Sequence, residues 1–111
     1  MDIKTRKEKN VLVVDLMGRL DALSSPDFDK LFKGLADQGE SLFLVNLSGL
    51  AYISSAGLRS LLAGANLMKT KGGKFMLAGL QGVVKETFEI THLHSVLEIH
   101  DSTEIALSRT Q

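Results

Sequence analysis

The sequence predicts an α/β fold, a mixed and mostly parallel β-sheet with about four α-helices packed against it. Three observations carry this expectation. From Leu42 onward, short apolar runs alternate with helical repeats, the pattern of strands paired in parallel through helical crossovers. Before that point, two strand-like runs joined at Lys9-Asn10 read as a hairpin. The chain has 111 residues, of which 44% are hydrophobic, enough for one small domain with one core, spanning 1–111.

Residues 2–10 form the first strand, with Ile3 its only strong apolar residue, so an edge strand. Val11-Leu12-Val13-Val14-Asp15-Leu16-Met17-Gly18 is β-branched and apolar and pairs beside it. Gly18 to Leu23 leads out through Asp21, a turn residue able to bond its own backbone. Ser24-Ser25-Pro26-Asp27 reads as a helix start: a serine cap, a proline in the first turn and an acid at the positive end. Phe28, Leu31, Phe32 and Leu35 follow at helical spacing, and Gly39 stops the helix.

Leu42 to Leu47 is a short apolar run expected to be buried on both faces of the sheet. Ser48 to Ile53 is expected to carry the chain out of the sheet. Leu58, Leu61, Leu62, Ala65 and Met68 then place one apolar stripe on a second helix. Gly72-Gly73 breaks the chain before a strand over Lys74–Leu80. A third helix covers Gly82–Thr91, burying Val84 and Phe88 with Val83 at its flank. Val96–His100 is a short last strand, and Asp101-Ser102-Thr103-Glu104 resembles a capping box ahead of a terminal helix through Ile105, Ala106 and Leu107.

Composition excludes several function classes. Thirteen basic and thirteen acidic residues balance to zero, so no basic face suggests nucleic acid. Cysteine is absent, which removes disulfide and thiol chemistry and agrees with a reducing cytosol. There is no signal-peptide core and no run approaching the ~18 apolar residues of a membrane span. The expectation is a cytoplasmic protein.

Two adjacent serines, Ser54 and Ser55, fall where the second helix begins. Serine is a preferred N-cap because its hydroxyl accepts from an orphan N–H of the first turn. Only one of the two is able to serve as that cap. The other projects into solvent at the positive end of the helix dipole, where a phosphate is well tolerated. On the flank, Arg59, Ala63 and Leu67 share a stripe beside the core face, with Ser60 one turn along from Ser55. Ala63 and Gly64 are small enough to admit another backbone. Gly57 is expected to be required by a close approach of backbone or partner just after the serines.

The string Asn46-Leu47-Ser48-Gly49-Leu50-Ala51-Tyr52-Ile53-Ser54-Ser55-Ala56-Gly57-Leu58-Arg59 resembles the signature of STAS domains, specifically bacterial anti-sigma-factor antagonists. The resemblance extends upstream to Gly18-Arg19-Leu20-Asp21-Ala22. Downstream it takes in Gly72-Gly73-Lys74-Phe75, Val83 to Phe88 and Thr91-His92-Leu93. It implies the STAS fold and a phosphorylatable serine two residues before the glycine, which is Ser55. The preceding residue is often Asp in the family and is Ser54 here, which leaves Ser54 as the alternative modified residue. The implied partner surface comprises Asp21, Ser54, Ser55, Ala56, Gly57, Arg59, Ala63 and Leu67.

The resemblance also implies the partners. One is an anti-sigma factor of the histidine-kinase-like ATPase family that doubles as a serine kinase; the other is a metal-dependent serine phosphatase. Unphosphorylated antagonist binds the anti-sigma factor and releases the sigma factor, and phosphorylation blocks that binding. No cofactor is expected on this chain, since ATP and magnesium belong to the kinase. The free chain is expected to be a monomer.

Little else suggests chemistry. His92 and His94 flank Leu93 without further ligands for a metal, and are expected to point outward around it. No Gly-x-Ser-x-Gly elbow accompanies Ser55, and the glycines at 72, 73, 79 and 82 match no phosphate-binding pattern. The expected class is therefore a substrate and binding partner, not an enzyme. Two other readings stay open: a STAS subunit of a transport or stress-sensing assembly, and a small nucleotide- or ligand-binding module.

Overall fold

The computed structural model describes residues 1–110. Strand β1 (Asp2–Glu8) turns through Lys9 and Asn10, both at positive φ, into β2 (Val11–Leu20). Helix α1 (Ser25–Asp37) follows, then β3 (Leu42–Ile53), α2 (Ser55–Thr70) and β4 (Lys74–Ala78). Helix α3 (Gly82–Thr91) leads through a short 3₁₀ turn at Leu93–Ser95 to β5 (Glu98–His100) and α4 (Thr103–Thr110).

The five strands lie in sequence order, β1-β2-β3-β4-β5. The β1–β2 pair is antiparallel and the other three are parallel. This is the predicted α/β architecture: four helices and a mostly parallel sheet with its hairpin at one edge. The edge strand β1 exposes Lys4, Arg6 and Lys7, charges that discourage pairing with a second sheet.

Alternation along the strands splits the core in two. Leu12, Val14 and Leu16 of β2, with Phe43, Val45 and Leu47 of β3, face α1, α2 and α3. Val11, Val13, Leu44, Met76 and Ala78 face the other way, where Ala106 of α4 packs on them. Phe32 of α1 is the joint of the larger layer: its ring centroid lies 4.5 Å from that of Phe43 and 5.5 Å from that of Phe75.

Three boundaries differ from the sequence reading, each for a physical reason. Ser48–Ile53 does not leave the sheet; it continues β3, pairing Gly49 with Met17, Tyr52 with Arg19 and Ile53 with Leu20. The register slips between Asp15 and Met17 and again between Gly18 and Arg19. Each slip sets an extra β3 residue against β2, so Leu47, Leu50 and Ile53 all point to the core at intervals of three. A period of three is neither the strand period nor the helix period, which hides the strand. Strand β4 ends at Ala78 rather than Leu80, and β5 begins only at Glu98, because Leu93–Ser95 form the 3₁₀ turn.

The caps differ too. Ser24 makes no side-chain cap for α1. Its hydroxyl instead accepts from Asp21 N at 2.9 Å and donates to the Arg19 carbonyl at 2.8 Å. Helix α4 starts one residue later than a box on Asp101 requires, with Ser102 Oγ accepting from Ile105 N at 3.2 Å.

Gly64 is not an open landing place on α2. It is buried, and a Cβ built there lies 2.8 Å from the Phe75 ring. The close neighbour is the chain's own core. Gly64→Val should therefore lower stability by about 1–3 kcal/mol through overpacking, read as a reduced denaturant midpoint at constant m-value.

Candidate functional site

The candidate site is the first turn of α2 together with the turn that follows β2. Two contacts join them. Ser54 N donates to the Leu20 carbonyl at 3.0 Å. Gly57 packs on the same residue: a Cβ there would stand 2.6 Å from Leu20 O and 2.9 Å from Ile53 Cγ1. Only glycine permits that approach. The close approach expected at Gly57 exists, but the approaching group is internal backbone, and Gly57 is buried. Internal packing on Leu20 and Ile53 thus accounts for the glycine without a partner.

The same geometry separates the two serines. Ser54 is the N-cap, with φ −98° and ψ 176°, and its Oγ accepts from Gly57 N at 3.3 Å. Its carbonyl accepts from Leu58 N at 2.9 Å. Ser54 is half-buried and committed to starting the helix. Ser55 is the first helical residue and is exposed, with its hydroxyl outside the cap.

Further along α2, Arg59 and Ala63 are exposed, Ala56 and Leu67 are half-buried, and Ser60 is buried. Ser60 is largely buried and lines a groove between α1 and α2. Ala63 and Leu67 line the same groove, of about 380 Å³, with Phe32 at its base. The aliphatic stripe of α2 sorts as expected, Leu58, Leu61 and Met68 buried with Leu62 and Ala65 at the boundary.

Asp21 organises the neighbouring turn. Its Oδ1 accepts from Leu23 N and Ser24 N, each at 3.1 Å, and the Arg19 guanidinium stands 3.6 Å from Oδ2. The Ser24 N–H foremost, then the Ser24 hydroxyl, the Leu23 N–H and Arg19, hold this carboxyl below the ordinary aspartate range against a partial loss of hydration. Arg19 in turn lies 4.3 Å above the Tyr52 ring, a cation–π contact on the bulged part of β3. In the sequence Arg19 and Tyr52 stand out only as members of the motif strings and Leu23 only as the end of the Gly18–Leu23 segment. Leu23 carries a signal that was available: an apolar residue between Asp21 and Ser24 that fits no helical or strand period.

Elsewhere, His92 and His94 are both exposed around the half-buried Leu93, their ring centroids 6.0 Å apart. Among the described residues no group of three His, Cys, Asp or Glu side chains is placed to hold a metal ion. No helix among them is long and apolar enough to cross a membrane.

These contacts predict opposite outcomes for residues three apart or less. Ser54→Ala should cost about 1 kcal/mol through the lost cap, and Ser55→Ala close to nothing. Gly57→Val should lower the melting temperature clearly, because rigid backbone occupies the space of the new side chain. Thermal unfolding of the three variants checks this; a Gly57→Val protein as stable as wild type would contradict the packing described.

Comparison with known proteins agrees with the architecture. Residues 2–106 match the family model of the STAS domain. A relative from Bordetella bronchiseptica, BtrV, described as a candidate anti-sigma factor antagonist, is 30% identical over 96% of this chain and 91% of its own. The crystal structure of a candidate anti-sigma factor antagonist from Thermotoga maritima superposes with a TM-score of 0.90 at 19% identity, over 96% of this chain and 92% of its own. The Bacillus anti-sigma factor antagonist SpoIIAA shares the fold in its unphosphorylated form, TM-score 0.77 at 18% identity over 98% and 97% of the two chains. Its phosphorylated form does so at TM-score 0.76 and 17% identity, over 99% and 100%. The chain belongs to the STAS-domain family, among homologues named anti-sigma factor antagonists.

Proposed function

We propose that this chain is an anti-sigma-factor antagonist working as a phosphorylation-controlled partner switch, with Ser55 as the residue modified. The observation that carries the reading is the division of labour at the start of α2: Ser54 is tied into the cap while Ser55 presents a free-standing hydroxyl to solvent. A kinase needs a serine it can reach without unfolding its substrate, and Ser55 meets that requirement.

The partner is an anti-sigma factor that is also a serine kinase of the histidine-kinase-like ATPase family, and a metal-dependent serine phosphatase resets the switch. Support comes from the names of the relatives and from SpoIIAA, whose phosphorylated and unphosphorylated forms share this fold. The contact surface is the rim around Ser55: the Asp21 turn, Ser54, Ala56 and Arg59, extending along the groove past Ala63 and Leu67.

Unmodified, the Ser55 hydroxyl is buried against the partner at the expense of one hydrogen bond. A phosphate adds about −1.5 to −2 charges there. The helix start accommodates that charge, favourably by about 0.3–1 kcal/mol. A partner pocket shaped for a neutral hydroxyl does not. A penalty of ~3 kcal/mol lowers affinity more than a hundredfold, so the partner side of the balance decides the outcome.

Phosphosite mapping by mass spectrometry, on chain purified from its native host, should place the phosphate on Ser55. Kinase labelling should vanish in Ser55→Ala and persist in Ser54→Ala. Affinity for the anti-sigma factor should fall at least a hundredfold on phosphorylation, and part of that loss should appear in Ser55→Asp, which has a smaller charge and a shorter reach. Label that survives Ser55→Ala and disappears in Ser54→Ala would move the site to Ser54.

A further inference from the structure

We propose that Leu23 is an apolar anchor of the partner interface, held out of the fold by the Asp21 turn so that it enters an apolar pocket of the anti-sigma factor that covers Ser55. The proposal rests on the antagonist reading given above and adds to it a residue and the chemistry that receives it.

Leu23 is 91% exposed, the most exposed large hydrophobic residue described. Isolated apolar side chains are common on protein surfaces, and Ile90 and Val96 are further examples here. Placement and rigidity set Leu23 apart. The Leu20 carbonyl accepts from Ser54 N at 3.0 Å, and Leu23 lies three residues beyond it, no more than about 11 Å along the chain. Leu23 and Ser55 therefore occupy one end of the domain.

The turn that carries the side chain is pinned on both sides. Leu23 N and the next N–H, that of Ser24, both donate to Asp21 Oδ1, and Ser25 N donates to the Asp21 carbonyl at 2.8 Å. An apolar group presented on a pinned turn loses little conformational freedom when a partner buries it. At the base of the turn Asp21 pairs with the exposed Arg19 at 3.6 Å. Burying such a side chain in a partner contributes in proportion to the apolar area removed from water. Inside the fold Leu23 has no packing role, so its removal costs the free domain nothing.

The test titrates the purified anti-sigma factor that unphosphorylated wild type captures from its native host with wild type, Leu23→Ala, Leu23→Asp and Ile90→Ala, and records the Tm of each. Leu23→Ala should weaken binding at least about tenfold, the scale of one leucine's transfer from water, and Leu23→Asp should weaken it further. Ile90→Ala, on the outer face of α3, should bind as wild type, and no variant should change in Tm. Leu23→Ala binding as tightly as wild type would overturn the proposal, as would an equal loss in Ile90→Ala. Failure of wild type itself to bind would remove the antagonist reading and the anchor with it, so the two failures are distinguishable.

Discussion

The contact on which the site depends is the one between Gly57 and the end of β2. A helix that begins directly after a parallel strand has to pack its first turn somewhere, and here it packs on Leu20 with no side chain between. Ser54 N satisfies the Leu20 carbonyl, and the Ser54 hydroxyl satisfies Gly57 N. With Gly57 and Ser54 directed inward, the helical repeat of about 100° per residue leaves Ser55 outside. The same contact brings the Asp21 turn alongside. One glycine therefore fixes which serine is structural, which is accessible, and which loop borders it.

Under the proposed function, that arrangement lets a covalent charge act without rebuilding the domain. The apolar residues of α2 that meet the sheet, Leu58, Leu61 and Met68, lie on the face opposite to solvent and keep their contacts whatever Ser55 carries. The first-turn N–H groups stabilise negative charge only weakly at an exposed position. A desolvated partner surface responds far more strongly to the same charge. In the switch we propose, the difference between these two environments decides the outcome, and the domain supplies a rigid platform for it. Rigidity comes from the β2–β3 pairing that backs the site, lengthened by the bulged half of β3 to reach Leu20 and Ile53.

Much of this was legible in the residues. The alternation of apolar runs with helical repeats located all five strands and four helices, and the hydrophobic pattern assigned the buried faces of α1, α2 and α3. The serine pair at the start of α2 was visible as a cap plus a remainder. What was hidden depends on contacts between distant segments. The bulges of β3 broke its period of two, so half the strand read as a loop. The smallness of Gly64 suggested an approaching partner and that of Gly57 either a partner or backbone, whereas the Phe75 ring and the Leu20 backbone fill those spaces. Near the β2 turn, propensity offered a serine cap, but the Ser24 hydroxyl is taken up by Asp21 N and the Arg19 carbonyl instead.

The central claim is that a phosphate on Ser55 acts locally and at the partner, with one backbone fold for both forms. Backbone amide chemical shifts of the phosphorylated and unmodified protein measure this directly. The account predicts changes confined to the first two turns of α2 and the Asp21–Ser24 turn, with the strands unmoved. Changes spreading through the sheet to Val11–Val14 or Lys74–Leu77 would show that phosphorylation refolds the domain, and would contradict it.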